Sequence, residues 1–142
     1  MRNTLKAVAF VAMLTVGVGS VALAHPDTSE KSGITQELVL KNFEHSLGMR
    51  DYPGVVESTI YNVVVFKNRF PQLDYARVAS MLQRLAEQNQ DASLSYKAEL
   101  AYLYLNLNGG LDLDAQPGSA DHGYIFKQIS EQLAQKFLAA QQ

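Results

Sequence analysis

Histidine binds metals and transfers protons near neutral pH, and this chain has three: His25, His45 and His122. No two of them are four residues apart, so the sequence contains no pair of histidines at the spacing that binds zinc on a helix. His25 differs from the other two because cleavage after Ala24 would make it the N-terminal residue. Such a histidine can chelate copper through its amine and its ring, but we identify no further ligands and favour an ordinary exposed terminus.

Acidic residues form the second candidate site, in the loop 109–120 and just after it. Asp112 and Asp114 are spaced like the first ligands of a calcium loop, and Asp121 follows. A calcium loop requires glycine at its sharp turn and a glutamate at its last position. Pro117 and Gly123 occupy those positions here. We therefore expect a solvated acidic loop whose carboxylates lack a partner for acid–base catalysis.

Nucleophilic catalysis is not indicated by the remaining residues. The chain has no cysteine, which excludes a thiolate nucleophile, a disulfide and a cysteine-based metal site. No serine lies in a G-x-S-x-G pattern. The sequence predicts a protein that is not an enzyme and holds no cofactor. The alternative is a metal-binding or enzymatic protein that uses His25 or the acidic loop 112–121, and metal titration of the cleaved protein would separate the two.

The N-terminal 24 residues have the features of an export signal. Arg2 and Lys6 precede an apolar run at 7–23, which ends in Ala22-Leu23-Ala24. A basic end, an apolar run and a small-x-small site are what signal peptidase recognises. The run is about long enough to span a bilayer, which requires roughly 17–25 residues. We favour cleavage over an anchor because glycines interrupt the run and polar residues follow it directly, and we expect a periplasmic or secreted protein.

Cleavage after Ala24 would leave 118 of the 142 residues, with 10 basic and 14 acidic side chains and a net charge of −4. That length suits a single domain with a substantial core. Nucleic-acid binding is disfavoured because it rewards basic surfaces. We expect no membrane contact after cleavage.

The mature chain has the spacing of an all-α domain. Residues 25–34 are polar and without periodicity, which predicts a flexible lead-in, and a single helical domain is expected over 35–140. Proline, glycine and capping residues divide it into five predicted helices. Their approximate bounds are 35–48, 52–68, 74–89, 93–108 and 121–140.

The apolar positions of these helices predict which side chains face the core. The strongest candidates are Val56, Ile60, Val64, Leu82, Leu85, Leu100 and Leu103. Leu38, Tyr96 and Phe137 also fall on the predicted inner faces. Tyr96, Tyr102 and Tyr104 have polar ends that could line a binding surface, although tyrosines at helical spacing more often belong to a core and its rim.

The predicted helices repeat along the chain. A shift of 40 residues places the second helix on the fourth, so that Ile60 aligns with Leu100 and Glu57 with Lys97. A shift of 38 places the first helix on the third. Two helix pairs of about 40 residues therefore follow one another, and Glu57 and Lys97 become candidates for a salt bridge between stacked units.

Two segments carry a resemblance to a known family. Leu47-x3-Asp51-x-Pro53-Gly54-Val55-Val56-Glu57-Ser58 resembles the turn and second helix of a HEAT repeat, and Asp91-x4-Tyr96-Lys97-Ala98-x-Leu100-Ala101 resembles a weaker copy. HEAT repeats usually have arginine where Glu57 and Lys97 stand. The segments PGVVESTIYNVVVFKNRFP and SYKAELAYLYL also resemble small exported bacterial helical proteins of unassigned role.

The resemblance implies a HEAT-like α-solenoid fragment, in which stacked helix pairs expose a surface for another protein. An unrelated helical bundle is the alternative, because any two amphipathic helix pairs share some alignment. We expect a non-catalytic interaction or scaffold module whose partner is another envelope or secreted protein.

The export signal generates a direct prediction. N-terminal sequencing of the protein from its native source should find His25 as the first residue, because Ala22 and Ala24 fit the peptidase site. Protein that keeps Met1 and stays with the membrane would show instead that the apolar run is an anchor.

Overall fold

The computed structural model describes residues 28–108, 110–114 and 122–141, with side chains from residue 35 onward. These residues form five α-helices and no strand, which confirms the all-α prediction. The predicted signal peptide, with Ala24 and His25 at its expected cleavage site, lies outside the described residues. The helices are α1 (Thr28–Leu47), α2 (Pro53–Arg69), α3 (Ala76–Gln88), α4 (Ala92–Asn106) and α5 (His122–Ala139).

The first helix begins earlier than the sequence pattern predicts. It starts at Thr28, so Thr35 lies inside the helix and does not cap it. Helix formation is cooperative, and extending a helix costs much less than starting one. The apolar segment up to Leu47 can therefore carry the polar residues before it into the same helix, which begins within the lead-in predicted for 25–34.

The ends of α2 and α4 are set by different residues. Pro53 lies in the first turn of α2, where its missing N–H costs nothing. Tyr52 holds the cap position of this helix without a side-chain hydrogen bond. At α4, Asp91 caps the helix by accepting hydrogen bonds from the backbone N–H groups of Ser93 and Leu94.

The run Val63-Val64-Val65-Phe66 is helical despite its β-branched residues. Ile60, Val63 and Val64 are completely buried on α2. Burial of such side chains stabilises by about 1.5–3 kcal/mol each, which exceeds the small helix-propensity penalty of valine, under about 0.7 kcal/mol per residue. Tertiary packing therefore decides the conformation of this run.

Helices that align in the predicted repeat lie beside each other. The helix α1 packs against α2 and α3, and α4 packs against α2 and α3. The helix α5 covers one side of this arrangement by packing against α4 and α2. The first pair, α1 and α2, is joined by the edge-to-face contact of Phe43 and Phe66, whose ring centroids are 5.6 Å apart.

Most of the predicted core is confirmed. Val56, Ile60, Val64, Leu82, Leu85 and Leu100 are buried, and Leu103 is partly buried against them. On α4 the inner face also contains Ala98 and Ala101, both fully buried. Because these residues are small, neighbouring helices can pack closely against them. The buried face of α4 therefore includes Ala98 and Ala101 and differs from the face that the larger apolar residues predict.

Three residues predicted to face inward are exposed: Leu38, Tyr96 and Phe137. Tyr96 is displaced because α4 presents Ala98 and Ala101 to the core. Phe137 lies on the last part of α5, where residues 134–141 are all exposed and Leu133 is the last buried side chain. The apolar residues spaced four apart on α5 therefore continue to Phe137, although the core that the helix contacts ends at Leu133.

The core assignment predicts the effect of one truncation. Leu100→Ala should lower the free energy of unfolding by about 2–5 kcal/mol, because it removes buried surface and leaves a cavity. Leu38→Ala removes an exposed leucine and should change stability by less than about 0.5 kcal/mol. Urea denaturation of the two variants measures the difference, and equal losses would contradict the assigned face of α4.

Candidate functional site

A salt bridge joins α2 to α4 at positions that align in the predicted repeat. Lys97 donates from Nζ to Glu57 Oε1, and these residues are 40 positions apart in the chain. Both side chains are partly exposed. Pairs of this kind contribute about 0–1 kcal/mol, so this one defines the alignment of two helices more than it stabilises them.

Next to this pair, α4 and α5 enclose a groove of about 370 Å³. Tyr96 forms one wall and is 54% exposed. Its hydroxyl donates to Ser130 Oγ on α5 at 3.1 Å, which holds the ring in place. The groove is lined by Tyr96, Lys97, Gly123, Phe126, Lys127, Ser130 and Glu131.

The acidic loop is not simply solvated. In residues 110–114, Leu111 and Leu113 are buried at 9% and 6% exposure, while Asp112 and Asp114 face solvent. This alternation has the period of two that extended chains impose. The prediction of a solvated loop is wrong for the two leucines, because their apolar side chains reach the core.

Side chains of α5 hold the backbone of the 110–114 segment. The N–H of Asp112 donates to Gln132 Oε1 at 3.1 Å, and Gln132 Nε2 donates to the Asp112 carbonyl at 2.6 Å. The N–H of Asp114 donates to Gln128 Oε1 at 3.0 Å. From α2, Asn68 Nδ2 donates to the carbonyl of Leu113 at 3.3 Å.

A larger cavity of about 500 Å³ begins where this segment begins. We call it the terminal cavity because it lies at the C-terminal ends of α2 and α4. Lys67 is oriented there by donating to the Pro71 carbonyl at 2.9 Å, and its Nζ lies 4.8 Å from the centroid of the Tyr75 ring. The cavity is lined by Lys67, Asn68, Pro71, Tyr104, Leu107, Asn108, Gly110 and Leu111.

Two tyrosines near the terminal cavity, Tyr75 and Tyr104, have raised pKa values. Burial raises the pKa of Tyr104 to about 12. Burial also raises the pKa of Tyr75 well above its usual value, and the nearby Tyr104 adds to that effect. The hydroxyl of Tyr104 has only a long contact of 3.5 Å with Asn68 Oδ1. Both phenols are therefore held neutral.

The two histidines within the described residues, His45 and His122, lie on different helices. His45 is exposed in the last turn of α1, and His122 stacks on Tyr61 with ring centroids 4.1 Å apart. Within the residues that the structure describes, no three acidic or histidine side chains are grouped to hold a metal ion. His25 and Asp121 lie outside those residues, so the sites suggested for them stay predictions.

Sequence reasoning missed the residues that hold the 110–114 segment. Asn68, Gln128 and Gln132 carry no charge and match no catalytic pattern. The available signals were the alternation Leu-Asp-Leu-Asp and the two glutamines four residues apart on one helix face.

Comparison with known proteins gives no relative. No protein-family model matches the chain, and no curated protein or solved structure matches it either. None of the helices in the described part is long and apolar enough to cross a membrane. The resemblance to HEAT repeats thus stays a prediction that depends on the residues quoted above.

The raised pKa of Tyr104 predicts how stability changes in alkali. The ordinary tyrosine pKa is about 10, so the unfolded chain releases this proton about two pH units earlier than the folded protein. The stabilisation is complete below pH 10 and is lost as pH rises toward 12. Tyr104→Phe should therefore show a shallower loss of stability than the wild type over this range, measured by urea denaturation at fixed pH values.

Tyr96→Phe is the matched control, since Tyr96 is exposed and half of its ring faces solvent. This variant should keep the wild-type dependence on pH. An unchanged alkaline slope in Tyr104→Phe would contradict the burial of the Tyr104 hydroxyl.

Proposed function

We propose that the protein is an exported, non-catalytic interaction module with HEAT-like stacked helix pairs. It acts in the periplasm or the secreted space, and its partner is another envelope or secreted protein. Nucleic acid and membrane are not its partners. The proposal combines the export signal with a helical surface that presents fixed aromatic side chains.

The arrangement of the helices supports stacking. In a bundle that joins successive helices by short turns, α2 and α4 would lie on a diagonal with the core between them. Here α1 packs against α3, and α2 packs against α4. The salt bridge between Glu57 and Lys97 connects positions that match in the repeat. A stack of this kind exposes a continuous surface for a partner.

The groove at Tyr96 is the observation that carries the proposal. Tyrosine is enriched in the energetically important centres of protein interfaces because it offers a large area with few rotatable bonds. The hydrogen bond to Ser130 fixes the Tyr96 ring before any partner arrives. A preorganised side chain loses less entropy on binding. Lys127 and Glu131 on the same groove provide charges of both signs for a polar rim.

Site-specific photo-crosslinking tests this proposal. A photoreactive phenylalanine derivative in place of Tyr96 should yield one discrete cross-linked product in the native envelope or secreted fraction, because the groove lies within the interface. The same group in place of Gln83, exposed on α3, is the control and should yield none. Identical patterns at the two positions, or no product at position 96, would reject the groove as an interaction surface.

A further inference from the structure

Arginine is concentrated on one face of the helix α3. Arg77 and Arg84 are both exposed there, and their spacing of seven residues places them on the same side of the helix, about 10.5 Å apart along its axis. From the turn between α1 and α2, Arg50 Nη2 donates to Gln88 Oε1 at 3.4 Å. Gln88 lies one turn beyond Arg84, so three arginines follow one line along α3. We call Arg77, Arg84 and Arg50 the arginine track.

The guanidinium groups of the arginine track make few contacts with the described residues. The side chain of Arg77 is 84% exposed, and its Nη1 lies 3.9 Å from Glu44 Oε2, which is too long for a hydrogen bond. Among the described residues, none forms a salt bridge or a side-chain hydrogen bond with Arg84. Each guanidinium offers five N–H donors. Most donors of the track therefore face solvent and can bind another molecule.

A groove of about 340 Å³ lies beside the track, between α1 and α3. It is lined by Glu44, Ala76, Arg77, Ser80, Met81 and Arg84. Met81 is partly buried against the core, and the flexible thioether of methionine adapts to different contact surfaces. Apolar atoms thus lie next to the two guanidinium groups. This combination suits a polypeptide segment, which has an apolar stem beside each charged end, better than a single small ion.

The charge of the arginine track is opposite to that of the mature chain. Three of the four arginines that follow the predicted signal belong to the track, whereas the predicted mature chain has a net charge of −4. Glu44 and Asp51 are the acidic residues in the described linings beside the track, so three positive charges face two negative ones. A net negative protein is repelled by the large anionic surface of a membrane or a nucleic acid. A short acidic segment meets only the local charge.

Arginine at these positions indicates the chemistry of the ligand. A planar guanidinium binds a carboxylate through two parallel hydrogen bonds, whereas the ammonium of lysine acts as a point charge. Clusters of arginine are a recurring means of recognising acidic segments. From Arg77 to Gln88 the track is about 16.5 Å long, which about five residues of an extended chain would cover. Runs of acidic residues are disordered because their charges repel, so such a run can extend along the track.

We propose that the arginine track and the groove between α1 and α3 bind a disordered acidic segment of another protein. Carboxylates of the segment pair with Arg77 and Arg84, and the chain between them lies over Met81. Arg50 extends the contact at the far end of α3. The track shares no residue with the groove at Tyr96, so neither proposal requires the other.

The test measures the binding of a fluorescent peptide to the purified protein by anisotropy at low ionic strength. The peptide has eight residues, in which aspartate alternates with serine, and a second peptide has asparagine in place of each aspartate. The acidic peptide should bind and the asparagine peptide should not. Added salt should weaken the binding, because the arginines are exposed and their charges are screened.

Substitutions in the track should change the affinity in both directions. Arg77→Gln combined with Arg84→Gln should weaken peptide binding about tenfold, which corresponds to about 1.4 kcal/mol and to the loss of two exposed ion pairs. Arg69→Gln makes the same change of charge at an exposed arginine of α2 outside the track, and should weaken binding less than about twofold. Glu44→Gln removes the carboxylate beside Arg77 and should strengthen binding about twofold.

Urea denaturation of each variant checks that the fold is kept, which is expected because the arginines are exposed. The proposal is overturned if the acidic peptide does not bind the wild type, or if Arg69→Gln weakens binding as much as the double substitution in the track. It is also overturned if the track binds vesicles that contain phosphatidylglycerol and does not bind the peptide, since the ligand would then be a lipid headgroup.

Discussion

The buried face of α2 is the constraint on which the remaining structure depends. Ile60, Val63 and Val64 are completely removed from solvent, and α2 packs against α1, α4 and α5. The one buried polar residue of this face, Thr59, donates its hydroxyl to the Val55 carbonyl at 2.7 Å, so its burial leaves no unsatisfied donor. Because much of the surface of α2 is apolar, the helix is stabilised by the three helices that cover it.

The orientation of α4 follows from that constraint. Ala98 and Ala101 face the core and allow the helices to approach closely, which turns Tyr96 outward and directs Lys97 toward Glu57. The same rotation brings Tyr104 inward to the terminal cavity. The exposed ring of Tyr96 and the buried phenol of Tyr104 thus both follow from two small residues. Larger side chains at either position would separate α4 from its neighbours.

The sequence predicts the helices and most of the core well, because apolar spacing is a local signal. Ile60 and Leu100 lie where their spacing places them. Tyr96 was misassigned because alanine contributes little to an apolar pattern even when it is fully buried. The 110–114 segment was missed because its alternation covers few residues, and its partners, such as Gln132, are distant in sequence and uncharged. Hydrogen bonds between polar side chains and a remote backbone leave no periodicity to detect.

We expect the two ends of the helix α5 to open on different timescales. Its first part is fixed by Ile125, Ile129 and Leu133, whereas residues 134–141 are all exposed. The last turns are supported by their own backbone hydrogen bonds, and isolated helices of that length are marginal. They therefore fray and re-form on the helix–coil timescale of about 0.1–1 μs. The anchored part opens only when the core around it does, so amide exchange should change sharply along a single continuous helix.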